Sequence, residues 1–381
     1  MGKHLVLVGG GHAHLTCLKQ LKHYVDRGHR VTLISPTPYH YYSGMGPGML
    51  GGTYSPREIR FHVRRMAESA GGDYIAGAVL RLDCPRRRLS LASGQKIDFD
   101  VASFNTGSSI PLKAVTITDC ENVFPVKPII NLLHARRVIR ALLATRPVRL
   151  LVVGGGPAGV EIAGNTWKVV QAYGGKARIT LLAGTKLLGN FPDKVRRLAF
   201  RSLEARQIEI IAGTRLHALE RGYAKLADER ELPFDLTLLA LGVTPDPLFS
   251  DSGMATGPDG GMLVNQYLQA RDYPYIFGGG DCISFQSRPL NKVGVYAVRQ
   301  NPILYHNLLA SLEGQNLRPF RPQADYLLIF NLGDGKGIFW RKNWVWNGRP
   351  AFYLKDYIDR KFMKKFQISG ELQENDTLHE D

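Results

Sequence analysis

The chain has 381 residues, 44% of them apolar and 22% charged, with 41 Gly and 21 Pro. That is an ordinary globular composition, which excludes a disordered chain, a collagen-like repeat and a disulfide-dense scaffold. Forty-nine Lys and Arg against 33 Asp and Glu leave a net charge of +16, which implies an anionic partner: nucleic acid, a phosphorylated cofactor or an acidic membrane surface.

Residues 3–8 read as a buried strand running into Gly9-Gly10-Gly11-His12-Ala13-His14. The apolar stretch is too short for a signal peptide, and no run approaches the roughly 20 residues of a membrane span. Folding is therefore expected to begin at residue 3, in the cytoplasm. A second strand follows at 29–35, and a third at 100–105 ends in Thr106-Gly107. The pattern then recurs: strand 148–153, Gly154-Gly155-Gly156-Pro157-Ala158-Gly159, a helical stretch and strand 177–183. Further strands at 235–241 and 275–277 end in Gly242 and in Gly278-Gly279-Gly280-Asp281. Two such βαβ units predict an α/β protein with two Rossmann-like domains, the first interrupted by the second. The expected boundaries are 1–120, 121–245 and 246–335, with 336–381 as a C-terminal docking segment.

In a G-x-G-x-x-G turn the first Gly allows the bend, the second lets backbone approach a pyrophosphate, and the third packs helix on strand. Gly154, Gly156 and Gly159 fit fully. Gly9 and Gly11 fit in part, because His14 takes the third place. The ribose-binding acid expected on the second strand is missing from both units, where Ser35 and Ala183 stand. Lys186 nearby could accept a 2′-phosphate, so NADPH stays open beside NADH.

Between Gly335 and Phe366 there are nine Lys/Arg and two Asp, a net of +7, and three of the four Trp. Leu354, Ile358, Phe362 and Phe366 recur every four residues, with Lys355, Arg360, Lys361, Lys364 and Lys365 between them. This predicts a basic amphipathic helix lying on an anionic membrane. A helix packed on the body or on a homodimer partner is the alternative. The last 14 residues carry five acids and no Lys or Arg, and are expected to be disordered. Four scattered cysteines form no C-x-x-C pair, and no histidine cluster suggests a metal.

The two glycine loops, Tyr42-Ser43-Gly44-Met45-Gly46-Pro47-Gly48, Val160-Glu161, Gly278-Gly279-Gly280-Asp281-Cys282 and Gly294-Val295-Tyr296-Ala297-Val298-Arg299-Gln300 resemble the flavoprotein pyridine-nucleotide oxidoreductases. The similarity is nearest to the type II NADH dehydrogenase-like branch, including relatives fused to selenophosphate synthase, and covers residues 3 to about 367. It implies FAD, with NAD(P)H as co-substrate. Gly9, Gly11, His12 and His14 would face the FAD pyrophosphate, Ser35 the adenosine ribose, and Pro47 the isoalloxazine. Asp281, with Gly280, Thr106 and Gly107, would hold the ribityl or pyrophosphate end. Gly154, Gly156, Gly159, Gly242 and Lys186 would take the nicotinamide dinucleotide. Glu161 matches an acid near the nicotinamide, and a solvated Glu complementing the helix dipole is its bland alternative.

Disulfide reductases and sulfide:quinone reductases of this superfamily use paired cysteines, which this chain lacks. Type II dehydrogenases present two glutamines near flavin and quinone, and those places hold Val295 and Arg299 here. Lys292, Tyr296 and Gln300 are the remaining candidates for the acceptor side. The resemblance thus predicts an NAD(P)H dehydrogenase passing electrons through FAD to a quinone, peripheral on the inner face of the membrane. Two alternatives stay open: a soluble acceptor in selenium or metal metabolism, and a non-enzymatic, apoptosis-inducing-factor-like flavoprotein that binds nucleic acid. The chain carries no nucleic-acid motif, which makes that last reading the minor one.

Overall fold

The computed structural model describes residues 2–374. Two five-stranded parallel sheets organise it. The first runs, in spatial order, Ile276–Gly278, Val101–Phe104, His4–Val8, Arg30–Ser35 and Asp73–Ala76. Leu5, Val6 and Leu7 are all fully buried. An unbroken apolar run replaces the period-two alternation of a half-exposed strand because both faces of this sheet are covered. The second sheet is Val123–Pro125, Leu236–Leu239, Val148–Val153, Ala177–Leu182 and Glu209–Ile211. The strand that completes the first sheet comes from beyond the second, so the first βαβ domain is interrupted, as its glycine-terminated strands predict. Both dinucleotide loops lie at the C-terminal ends of their central strands, where an open α/β sheet binds ligands.

Two observations redraw the edges of these units. Thr116–Thr118 lies before residue 120 but pairs with Leu216–Glu220, and the C-terminal sheet already begins at Leu328–Asn331. That sheet continues through Gly337–Arg341 and Trp344–Gly348 into the helix Arg349–Phe366.

The helix forms where expected, but its buried face differs. Ala351, Lys355, Asp359, Met363 and Phe366 are inside, while Ile358 is 40% exposed and Leu354 half-buried. Phe362 sets this rotation by packing its ring 4.9 Å from Tyr42 and 6.0 Å from Phe61. Lys355, expected on the outer basic face, is consequently interior and paired with Asp359 at 2.7 Å.

The acidic tail also departs from expectation, because residues 368–374 fold onto the first domain. Glu371 is 1% exposed and accepts the His62 and Ser369 N–H groups. Glu374 pairs with the fully buried Arg60 at 2.7 Å and with Arg65 at 3.2 Å, and accepts the Tyr39 hydroxyl. Composition alone misses this, since the complementary charges sit 314 residues upstream. The remainder of the tail, 375–381, lies outside the described residues. Among the described residues no helix is long and apolar enough to cross a membrane.

Candidate active site

On the first sheet, Asn105 ties the cofactor edge together. Its side-chain oxygen accepts Ala13 N–H at 2.9 Å and its amide donates to the Gly279 carbonyl at 2.6 Å. A Cβ on Gly11 would stand 2.3 Å from that oxygen, so this glycine is required by the tie itself. His14, expected at the pyrophosphate, is turned inward instead. It is fully buried, with Nδ1 2.6 Å from the Gly9 carbonyl and Nε2 2.8 Å from the Ser103 hydroxyl. It fills the helix–strand gap from behind, which is why a third glycine is dispensable here.

His12 is 9% exposed, with Nδ1 3.2 Å from His40 Nε2 and its own Nε2 without a hydrogen-bond partner. Burial pushes both His12 and His14 down to about 4, with the Lys127 charge adding to the effect on His12. These rings are neutral in the fold at pH 7. A lowered pKa contributes stability that is present above the unfolded value of 6.5 and lost as pH falls through 4. Each should therefore remove up to about 3 kcal/mol across that window. Urea melts at pH 7 and pH 4.5 check this: His14→Gln should flatten the dependence, and an unchanged slope contradicts it.

Asp281 receives the Ser108 hydroxyl at 2.7 Å and the Lys127 ammonium at 2.9 Å. Lys127 escaped the sequence reading, because nothing local connects a lysine after Val126 to a carboxylate 154 residues on. Gln300 and Lys292, both assigned to the acceptor side, have structural partners instead. Gln300 is 1% exposed and accepts the Gly280 N–H at 2.7 Å, fixing the turn that carries Asp281. Lys292 donates to the Ile283 carbonyl and pairs with Asp259 at 2.7 Å. Tyr296 is buried with its ring 5.9 Å from Tyr326. The Ser35 hydroxyl donates to the Thr37 carbonyl, and Thr106 is exposed beside Gly107.

On the second sheet each glycine has a separate job. A Cβ on Gly154 would lie 2.2 Å from the Ala240 carbonyl oxygen, and one on Gly159 1.7 Å from that of Gly154. At Gly156, the residue before the helix Pro157–Tyr173, a Cβ would meet nothing within 4 Å. It faces open space at a helix N-terminus, where a pyrophosphate is favoured. Gly156→Val should accordingly abolish nucleotide binding with an unchanged melting temperature. Gly159→Ala should cost about 1–3 kcal/mol by overpacking. Calorimetry and nucleotide titration separate the two, and equal destabilisation would contradict this division. Gly242 and Lys186 are exposed along the same edge.

Between the sheets lies a buried polar cluster. Glu161, on the helix after the second loop, accepts the Asn331 N–H at 2.7 Å. Burial raises its carboxyl to about 7, against the opposing pull of Lys355 and the Asn331 hydrogen bond. Lys355 donates to the Gly44 carbonyl and to Asp359, both at 2.7 Å. Tyr42 donates to the other Asp359 oxygen at 3.0 Å. Burial works against the Lys355 charge, but Asp359 and Glu161 outweigh it and hold the ammonium above its ordinary value. Pro47 is buried nearby in the short helix Gly46–Leu50, packed against Asn131–Leu143 and Pro157–Tyr173.

Residues 3–306 match the family described as pyridine nucleotide-disulphide oxidoreductase. The chain belongs to this family. It is an oxidoreductase with FAD as cofactor and NAD(P)H as co-substrate. The structure fits both groups. Gly107 and Gly156 open onto free space, Asp281 and Lys127 stand at a sheet's ligand edge, and buried His12 Nε2 awaits a partner. It is similar to ferroptosis suppressor protein 1 of Xenopus tropicalis, 25% identical over 88% of each chain. Demethylphylloquinone reductase NdbB of a Synechocystis strain is 30% identical, over 46% of this chain and 45% of its own. Among solved structures, NDH2 from Plasmodium falciparum in complex with NADH superposes with a TM-score of 0.79. That match has 14% identity and covers 97% of this chain and 98% of that one. Among the described residues no group of His, Cys, Asp and Glu could hold a metal.

Proposed function

We propose that this oxidoreductase reduces a quinone, at a membrane surface. The observation that carries the reading is the placement of Glu161, which accepts the Asn331 N–H beside the Lys355–Asp359 pair and whose carboxyl is raised by desolvation to about 7. Reduction of a quinone by NAD(P)H also consumes one proton from solution, giving NAD(P)⁺ and quinol. Bound FAD would supply the two-electron redox chemistry that links the nicotinamide to the acceptor.

The chain's own residues supply position and protons. Gly154–Gly159 and the helix N-terminus hold the dinucleotide, and Asp281 with Lys127 orients the cofactor's polar chain. The Glu161 carboxyl gives its proton to the acceptor oxygen and is reprotonated from solution, the task of a general acid with a pKa near the working pH. The reductase name of NdbB supports a quinone.

Membrane contact is supported by the surface around the C-terminal sheet and helix. Trp344 is 74% exposed, and Tyr353 and Tyr357 are each 63% exposed. A hollow of about 340 Å³ is lined by Phe339, Arg341, Lys342, Trp344 and Trp346. Aromatics with cations between them suit the headgroup layer. The protein should float with vesicles of mixed phosphatidylcholine and phosphatidylglycerol, and Trp344→Ser/Tyr357→Ser should stay in the soluble fraction. NAD(P)H oxidation should accelerate with a short-chain ubiquinone. Soluble behaviour without quinone stimulation would assign the electrons to a soluble acceptor instead.

A further inference from the structure

The interior face of the C-terminal helix carries an ion pair where its sequence pattern would place an apolar stripe. Lys355 is 9% exposed and Asp359 4%. Burying two charges is a poor way to hold a helix down, since a hydrophobic pair of similar volume is often as stable or more so. The pair therefore needs a reason other than stability, and its surroundings give one. The Lys355 ammonium has three N–H groups. Two are spent on the Gly44 carbonyl and on Asp359, while Glu161 feels its charge across the same cluster.

Resting on the proposed role of Glu161 as proton donor, we propose that Asp359 is a positioning residue. It holds the Lys355 ammonium toward itself and Gly44, so that this charge does not fix Glu161 permanently as a carboxylate.

The charges around Glu161 make the sign definite. From the C-terminal helix it is faced by Lys355, which favours its ionised form, and by Asp359, which opposes it. From the segment before Gly46–Leu50 it is faced by Tyr42, whose hydroxyl is committed to Asp359. On its own helix Lys168 is turned to the Thr53 hydroxyl, and Arg136 of the neighbouring helix to Tyr173. Asp356, one turn from Asp359, is occupied by Tyr54 and Arg360. Removing the Asp359 charge leaves Glu161 as the stronger of the two carboxyls acting on Lys355, ahead of Asp356. Glu161 then ionises at lower pH and ceases to carry a proton at neutrality.

The test reads Glu161 directly and needs no quinone. The protonated-carboxyl stretch of Glu161, taken as the infrared difference between the holoenzyme and its Glu161→Gln variant, is followed against pH. In Asp359→Asn the titration should move down by at least one pH unit. Asp359→Glu should restore most of the original midpoint, and Asp356→Asn should move it far less. Turnover in Asp359→Asn should fall at pH 7 and recover toward low pH, a pattern that loss of packing does not produce. An unmoved midpoint in a folded Asp359→Asn would overturn the proposal. If Asp359→Asn folds poorly, Tyr42→Phe, which removes the hydroxyl donated to Asp359, decides it: a midpoint identical to the parent contradicts the proposal. If the midpoints shift as stated but no quinone is reduced, the proposed acceptor fails and the tuning by Asp359 stands.

Discussion

Replacing Glu161 by Gln is expected to slow quinone-dependent turnover about 10²–10⁴-fold at pH 7, while reduction of the flavin by NAD(P)H stays nearly as fast as in the parent. The asymmetry follows from where protons are needed. Hydride delivery needs orientation, which the glycine loop supplies. Quinol formation needs a proton at the acceptor oxygen, and an amide has none to give. The same substitution has a stability signature. The fold raises the Glu161 pKa from 4.5 to about 7, so its contribution is full below 4.5 and declines as pH rises through 7. Above that pH the buried carboxylate works against folding, and Glu161→Gln should stabilise the protein by up to about 3 kcal/mol. Stopped-flow traces of the two half-reactions, with urea melts at pH 5 and pH 8, measure both effects. Equal slowing of the two half-reactions would make Glu161 a nucleotide-binding residue and remove it from proton transfer.

Loss of Glu374 is expected to destabilise the first domain by about 3–5 kcal/mol, the usual consequence of stranding one member of a buried ion pair. Arg60 is fully buried in the two-stranded pairing of His40–Tyr41 with Arg60–Phe61. Its guanidinium packs 4.5 Å over the Tyr39 ring, so it cannot swing out to water without unpacking that corner. A chain ended at residue 370 should lose at least as much, because it also removes the buried Glu371. The double variant Arg60→Met/Glu374→Ala should recover much of the loss, because no charge is left stranded. Denaturant midpoints of the three variants test this. A Glu374→Ala variant as stable as the parent would mean that the tail is not held by this pair.

The fold was legible because both sheets are parallel and covered on two faces. Their strands appear in the sequence as apolar runs ending in glycine, a signal that survives without any partner information. The second glycine loop was equally legible, since Gly154, Gly156 and Gly159 each meet a local steric demand. The first loop was only half legible. Whether His14 faces ligand or core depends on Ser103, 89 residues away, and no local pattern encodes that. The backbone partners of Gln300 and Lys292, Gly280 and Ile283, are likewise set by the fold and not by a local pattern. The C-terminal helix is expected to lay Leu354, Ile358, Phe362 and Phe366 on a membrane, whereas Phe362 and Phe366 pack inward beside Lys355 and Asp359, because an every-fourth-residue apolar count has no way to include a buried Lys–Asp pair. Glu161, matched by the resemblance to an acid near the nicotinamide, accepts the Asn331 N–H and has its carboxyl raised by burial. Its helix packs on Gly46–Leu50, Asn131–Leu143 and Leu328–Asn331, the last bringing the Asn331 N–H from 170 residues later in the chain.

The most direct test is an anaerobic double-mixing experiment on the purified flavoprotein. NADH or NADPH should bleach the oxidised flavin absorbance in the first mix, and a short-chain ubiquinone should restore it in the second. Glu161→Gln should bleach normally and recover slowly. A flavin that stays oxidised with both nucleotides, or a bleached flavin that quinone does not reoxidise, would contradict the account.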